Sequence, residues 1–241
     1  MRDFNLEFSD RFQKYQHDFD AVVRHYLLKA VSPFLGDGIK ALELGCYKGD
    51  MTEQILDYVG DLTVVEGASV LADAVRERFQ GRVKVVNSTF EALTMEPIYD
   101  VAFLVHTLEH LDDPIAILKR IQSWLKPGGK LIVAVPNANA LSRQIAVKMG
   151  LIDFNAAVTP AEASHGHRIT YASDMLDHHL RQAGLQAVDE GGILLKPLAN
   201  FQFDLALREK IIDEKYLDGC FELGRKYPDL CASLYRVCAS R

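Results

Sequence analysis

Cysteine is scarce here: four in 241 residues, at positions 46, 220, 231 and 238, with no C-x-x-C pair and no paired-zinc spacing. That excludes a disulfide framework or a zinc ribbon and suits reduced thiols in a cytoplasm. An excess of positive charge is also missing. Lys and Arg number 27 against 33 Asp and Glu, giving a net charge of -6 and a pI of about 5.7, so neither nucleic acid nor an anionic membrane is expected as the main partner. No stretch reaches the ~18 uninterrupted apolar residues of a membrane span. The segment "MRDFNLEFSDRFQKYQ" places charges where a secretory signal has its apolar core. A soluble, cytoplasmic protein is expected. Internal repeats and low-complexity tracts are absent too. What remains is an ordinary globular composition, 49% hydrophobic and 25% charged, long enough for one sizeable core.

From Ser9 and Asp10 onward, Phe12, Tyr15, Phe19, Val22, Val23, Tyr26 and Leu27 recur at helical spacing up to about Ala30. Short apolar runs then alternate with amphipathic ones: "IKALEL" before a helix at 50–58, "LTVVE" before 68–79, "VKVV" before a turn, "DVAFLV" before 113–125, and "KLIVAVP" before 137–149. Strand alternating with helix predicts an α/β fold, a mostly parallel sheet with helices on both faces. Asp113 and Pro114 read as N-cap and first helical residue, and "LKPGGK" ends that helix. "YASDMLDHHLRQAGL" predicts a helix capped by Ser173 and ended by Gly184. "QAVDEGG" and "ILLKPL" follow as two more strands, seven in all, and residues 204–238 read as helical apart from Pro228. The segment 150–170, "GLIDFNAAVTPAEASHGHRIT", has neither period and is a candidate lid over a substrate. The whole of 1–241 reads as one domain: a helical cap to about residue 35, a core over 36–203, and C-terminal helices over 204–241.

The most telling stretch is "ALELGCYKGD", residues 41–50, a buried strand running into a glycine turn and a helix start. Such a turn puts backbone N–H groups at the carboxyl edge of the sheet, where open α/β sheets bind ligands. A dinucleotide fingerprint needs a bare second glycine to admit a pyrophosphate, but Tyr47 stands there and Asp50 takes the third position. Glu43 beside the turn repels phosphate and attracts a cation. Glu66, ending "LTVVE", stands where an acid accepts hydrogen bonds from ribose hydroxyls. A nucleoside carrying positive charge in place of phosphates is S-adenosylmethionine.

In these motifs the chain resembles the class I S-adenosylmethionine-dependent methyltransferases, in particular their small-molecule, ubiquinone-type branch. The resemblance spans about residues 39–203 and rests on "LELGCYKG", "VVEGA", "NSTFEAL", "YDVAFLVHTLEHLDDP" and "LKPGGKLIVAVPN" in that order. It implies a Rossmann-like sheet whose final strand, here about 195–203, is antiparallel. It also implies that Gly45, Cys46, Tyr47 and Gly49 line the methionine and ribose side, that Glu66 with Gly67 holds the ribose, and that Thr89 and Phe90 meet the adenine. Val105 and His106 then border the methionine moiety. Tyr15, on the first helix, either touches the cofactor or acceptor or packs as part of an aromatic stripe. The product is S-adenosylhomocysteine.

Methyl transfer from a sulfonium is an in-line displacement that needs alignment, exclusion of water and a place for the acceptor's proton. His106, His110, His165 and His167 are the histidines near the expected site. His167 is the first choice of base, with His106 and His165 behind it, while His110 suits a structural role. No metal set is assembled by spacing: "HGH" lacks an evident carboxylate partner, and Asp113, near where catechol-type enzymes bind a cation, is explained as a cap. The expected function is methylation of an oxygen or nitrogen on a small biosynthetic intermediate, such as a secondary metabolite, a sugar or a quinone precursor. A non-catalytic binder of the same nucleoside, a macromolecule methyltransferase and, disfavoured by Tyr47 and Asp50, a nicotinamide dehydrogenase are the alternatives. Oligomeric state is unread, with a homodimer left open.

Overall fold

The alternation of apolar and amphipathic runs folds largely as it reads. The computed structural model describes residues 18–240; Tyr15 and the predicted helix start at Ser9 lie outside them. Along the chain come α1 (Asp18–Val31), β1 (Gly36–Leu44), α2 (Asp50–Ile55), β2 (Val59–Glu66), α3 (Ser69–Phe79), β3 (Lys84–Asn87) and β4 (Tyr99–Val105). Then follow α4 (Pro114–Trp124), β5 (Leu125–Pro136), α5 (Leu141–Lys148), α6 (Pro160–Ser164), α7 (Ser173–Gln182) and β6 (Leu185–Leu195). Last are α8 (Asn200–Arg208), α9 (Glu214–Gly224) and β7 (Cys231–Ser240).

The strands form one seven-stranded sheet in the order β3-β2-β1-β4-β5-β7-β6. β1 to β5 run parallel, and β7 is antiparallel to both its neighbours. Successive residues of a strand point to opposite faces, so β4 sends Val101 and Phe103 to one core and Ala102 and Leu104 to the other. The first core packs under α1, α3, α8 and α9, and the second under α4 and α7. With both faces covered, the central strands are apolar almost throughout, and Leu131 to Val135 are wholly buried. The Asp113 carboxylate accepts the Ala116 N–H at 2.9 Å with Pro114 at the first helical position, so α4 starts as the sequence predicts.

Four expectations are corrected. "QAVDEGG" and "ILLKPL" are one strand, β6; its glycines serve close packing, since a β-carbon on Gly191 would stand 2.7 Å from the Tyr235 ring. The antiparallel strand expected over 195–203 lies instead at β7, and its place is taken by the end of β6 and the start of α8. Residues after 203 are therefore part of the sheet and not only a helical addition. Ser173 does not cap α7: Ala172 is the N-cap, and the Ser173 hydroxyl accepts from Arg236 at 2.6 Å. The helices expected at 50–58 and 137–149 are shorter, as α2 and α5.

Candidate active site

The carboxyl ends of β1, β2, β4 and β5 open into a cavity of about 620 Å³, within the roughly 300–1,000 Å³ of small-molecule sites. β1 enters it through Gly45, which is left-handed at φ 81°, and a β-carbon there would stand 2.9 Å from the Thr107 hydroxyl oxygen. Gly49 is also left-handed at φ 85°, where a β-carbon would meet the Phe79 ring at 2.6 Å. Between them Tyr47 holds the same backbone region at φ 53° without being glycine. Its N–H donates to Glu66 Oε2 at 3.1 Å. The turn is thus tied to the next strand tip by a carboxylate, in a place where a dinucleotide site would keep donors for phosphate.

Glu66 is 8% exposed, and its Oε1 accepts from the Ala68 N–H at 2.9 Å. Burial raises its pKa, opposed by the N–H groups of Ala68 and Tyr47. Glu43, 3% exposed, accepts the Thr52 hydroxyl at 2.6 Å, and burial pushes its carboxyl up to about 7. Both carboxylates line the cavity, as do Gly45, Cys46, Tyr47, Val105, His106, His165 and His167. The Cys46 thiol is pushed up by burial, which makes it a packing group and not a nucleophile.

Gly49, Gly67, Thr89 and Phe90 do not line the cavity. Gly49 packs on Phe79, and Gly67 accepts from the Asn87 side chain at 3.3 Å. The Thr89 hydroxyl accepts from the Ala92 N–H at 3.2 Å, and the Phe90 carbonyl accepts from Arg120 at 3.0 Å. Ala68 and Leu71 stand at the cavity wall on that side instead.

On the opposite side, His106 sits at φ 48° at the exit of β4, with Nε2 3.0 Å from the Ser233 hydroxyl of β7. Burial pushes its pKa down to about 3, so the ring is neutral and a weak base. The lid segment contains α6, begun by a capping box of Thr159 and Glu162. Arg143 of α5 grips it, binding the Glu162 carboxylate at 2.6 Å and the carbonyls of Asn155 and Ala157. The Arg168 N–H donates to the Glu109 carbonyl at 2.8 Å. That bond brings His167 edge-on to His110, with ring centroids 4.6 Å apart. Burial lowers the pKa of His167 and raises that of Glu109 to about 8.

Ligand atoms of Glu109, His110 and His167 lie within 4.8 Å of one another, a set that can hold a metal ion. Spacing in the sequence alone does not bring these three together. Spacing shows Glu109 and His110 adjacent in "HTLEHL", but only the folded lid returns His167 to them. Sequence reasoning also missed Arg24, Arg143, Lys196 and Asn200 in the cavity wall. Lys196 is buried above the rings of Phe19 and Phe203, and burial pushes its pKa down to about 8. These four carry no motif, because their place depends on how α1, α5, α8 and the end of β6 pack.

The sheet order, the left-handed turn after β1 and the cavity at the carboxyl ends of the strands define a Rossmann-like fold with two buried acids facing one cavity. Residues 15–190 match the family described as Methyltransferase domain, and the chain belongs to that family. It is 30% identical over 198 residues to a protein of Xanthomonas axonopodis pv. citri named ubiquinone biosynthesis O-methyltransferase, covering 80% of each chain. A protein of the same name from Marinobacter nauticus is 29% identical over 76% of this chain and 77% of its own. Among solved structures, Burkholderia thailandensis 1,6-didemethyltoxoflavin-N1-methyltransferase, with bound 1,6-didemethyltoxoflavin and S-adenosylhomocysteine, shares the fold. Its TM-score is 0.64 at 17% identity, over 98% of this chain and 85% of that one. Among the described residues no helix is long and apolar enough to cross a membrane.

Proposed function

We propose that this methyltransferase uses S-adenosylmethionine to methylate an oxygen of a small phenolic molecule of the ubiquinone-precursor kind, releasing S-adenosylhomocysteine. The observation that carries the reading is the pair of buried carboxylates, Glu43 and Glu66, at successive strand tips of one cavity. Bound there, S-adenosylmethionine supplies a methyl group on a sulfonium, whose displacement leaves a neutral thioether. Glu66 spends two acceptor directions on the Tyr47 and Ala68 N–H groups and keeps others for ribose hydroxyls. Glu43 answers the positive charge. The lid, held by Arg143, excludes water.

An acceptor hydroxyl must lose its proton. His106, pushed down to about 3, is a poor receiver and works by position, whereas His165 and His167 bring imidazole nitrogens from the lid, with burial lowering the pKa of His167 as well. His167→Ala is expected to lower turnover and spare cofactor affinity. The acidic balance supports a small-molecule partner over nucleic acid, and the four thiols, free in the structure, support a cytoplasmic setting.

Calorimetry on the purified chain is expected to find both S-adenosylmethionine and S-adenosylhomocysteine bound. Mass spectrometry is then expected to find S-adenosylhomocysteine and a methyl ether accumulating with a polyhydroxylated phenol. Lack of affinity for either nucleoside overturns the reading. Affinity without turnover on phenols, amines or sugars leaves a binding protein in its place.

A further inference from the structure

We propose that Lys196 holds a carboxylate of the methyl acceptor, so that the substrate is a hydroxylated aromatic acid and not a neutral phenol. The acceptor's role rests on the methyl-transfer reading above, whereas the anion site rests on the surroundings of the lysine.

Lys196 follows directly on β6 and lines the cavity, yet it is only 6% exposed. The Leu198 carbonyl accepts from its ammonium at 3.0 Å. An ammonium has three donors, and among the described residues no carboxylate forms an ion pair with this one. The nearby acids bond elsewhere: Asp204 accepts the Phe19 N–H at 2.8 Å, and Asp20 accepts the Asn200 side chain at 2.9 Å. The nitrogen lies over the rings of Phe19 and Phe203, 5.2 and 5.9 Å from their centroids. Packing between two phenyl rings needs only an apolar stem, and a buried charge answered by ring faces and one carbonyl is costly. An anion entering from the cavity answers it. Burial pushes the pKa down to about 8, against the charges of Asp20 and Asp204, which leaves the ammonium form in the majority at neutral pH.

The topology separates this cation from the acids assigned to the cofactor. β6 runs in the direction of β1 to β5, because β7 is antiparallel to both its neighbours. Lys196 therefore stands on the same edge of the sheet as Glu43 and Glu66, but β4, β5 and β7 lie between β1 and β6. The other cavity-lining arginines are engaged differently. The charge of Arg24 acts on Glu43 and His106, which places it toward the cofactor acids. Arg143 is taken up by Glu162 and the lid carbonyls. Lys196 is the cation left for the acceptor. Asp20 and Asp204 repel a second negative charge on the ligand, so a carboxylate suits the place better than a phosphate.

The test is a calorimetric titration of the full chain, with S-adenosylhomocysteine present, using protocatechuate, a catechol that carries a carboxylate, and its neutral amide. At neutral pH the acid is expected to bind about 10–100-fold more tightly than the amide, the range of one charged hydrogen bond. Lys196→Met, which keeps an apolar stem, and Lys196→Gln are each expected to weaken the acid alone and so abolish the preference. His178→Ala, on α7 and outside the cavity, is expected to preserve it. A cooperative urea transition shows that each variant is folded. A lysine that merely packs the loop after β6 predicts equal effects on the two probes, or none, and either result overturns the proposal. So does a chain that binds neither probe or shows no preference, and so do two variants that both fail to fold. A chain that binds S-adenosylhomocysteine without a preference set by Lys196 loses this site and keeps the methyl-transfer reading. A chain with that preference but no affinity for either nucleoside does the reverse.

Discussion

Glu43 and Glu66 sit on adjacent strands, yet their partners differ: a hydroxyl for Glu43, backbone N–H groups for Glu66. Glu66→Ala is expected to weaken binding of S-adenosylhomocysteine by roughly 1–3 kcal/mol, measured by calorimetry. Glu43, whose carboxyl is pushed up to about 7, predicts a pH dependence of the opposite sense for binding and for folding. A cationic ligand favours the ionised carboxylate, so affinity for S-adenosylmethionine is expected to rise as pH climbs through about 7 and to stay flat in Glu43→Gln. Folding runs the other way. The folded state keeps its proton from the ordinary 4.5 up to about 7 while the unfolded state has lost it, so this group's contribution to stability falls across that window. Denaturant unfolding of Glu43→Gln is expected to lack that fall. These two acids and Tyr47 were legible because strand tips and turns are local in sequence. The Glu109 set was not, because one of its members reaches it only through the fold of the lid.

At the scale of elements, the turn into α2 depends on backbone freedom. Gly49→Ala puts a β-carbon at φ 85° against the Phe79 ring of α3. A loss of about 1–3 kcal/mol is expected, read as a lower urea midpoint with unchanged slope. The strand and helix alternation through β5 was readable because central parallel strands are apolar on both faces and the helices between them are punctuated by caps and Pro-Gly turns. β7 was not. Ser233 and Arg236 interrupt its apolar run, and Arg236 is made tolerable inside by Asp177 at 2.8 Å, Glu190 at 3.2 Å and the Ser173 hydroxyl, with the Tyr235 carbonyl at 2.9 Å beside them. Those side chains come from α7 and β6, far off in sequence, so "CASLYRVCAS" shows no strand signature on its own.

At the scale of the molecule, β7 joins β6 to the rest of the sheet, and its ion pairs tie α7 and β6 to it. Arg236→Ala is expected to cost roughly 3 kcal/mol in denaturant unfolding, with Arg236→Met costing less because the buried stem is kept. The same strand carries the Ser233 hydroxyl that holds His106 from across the cavity. Warming that detaches the inserted ribbon therefore also releases the imidazole at the cleft wall. Heat inactivation and loss of the near-ultraviolet aromatic signal should trace a single curve, with no window in which an intact scaffold houses a disordered reaction centre.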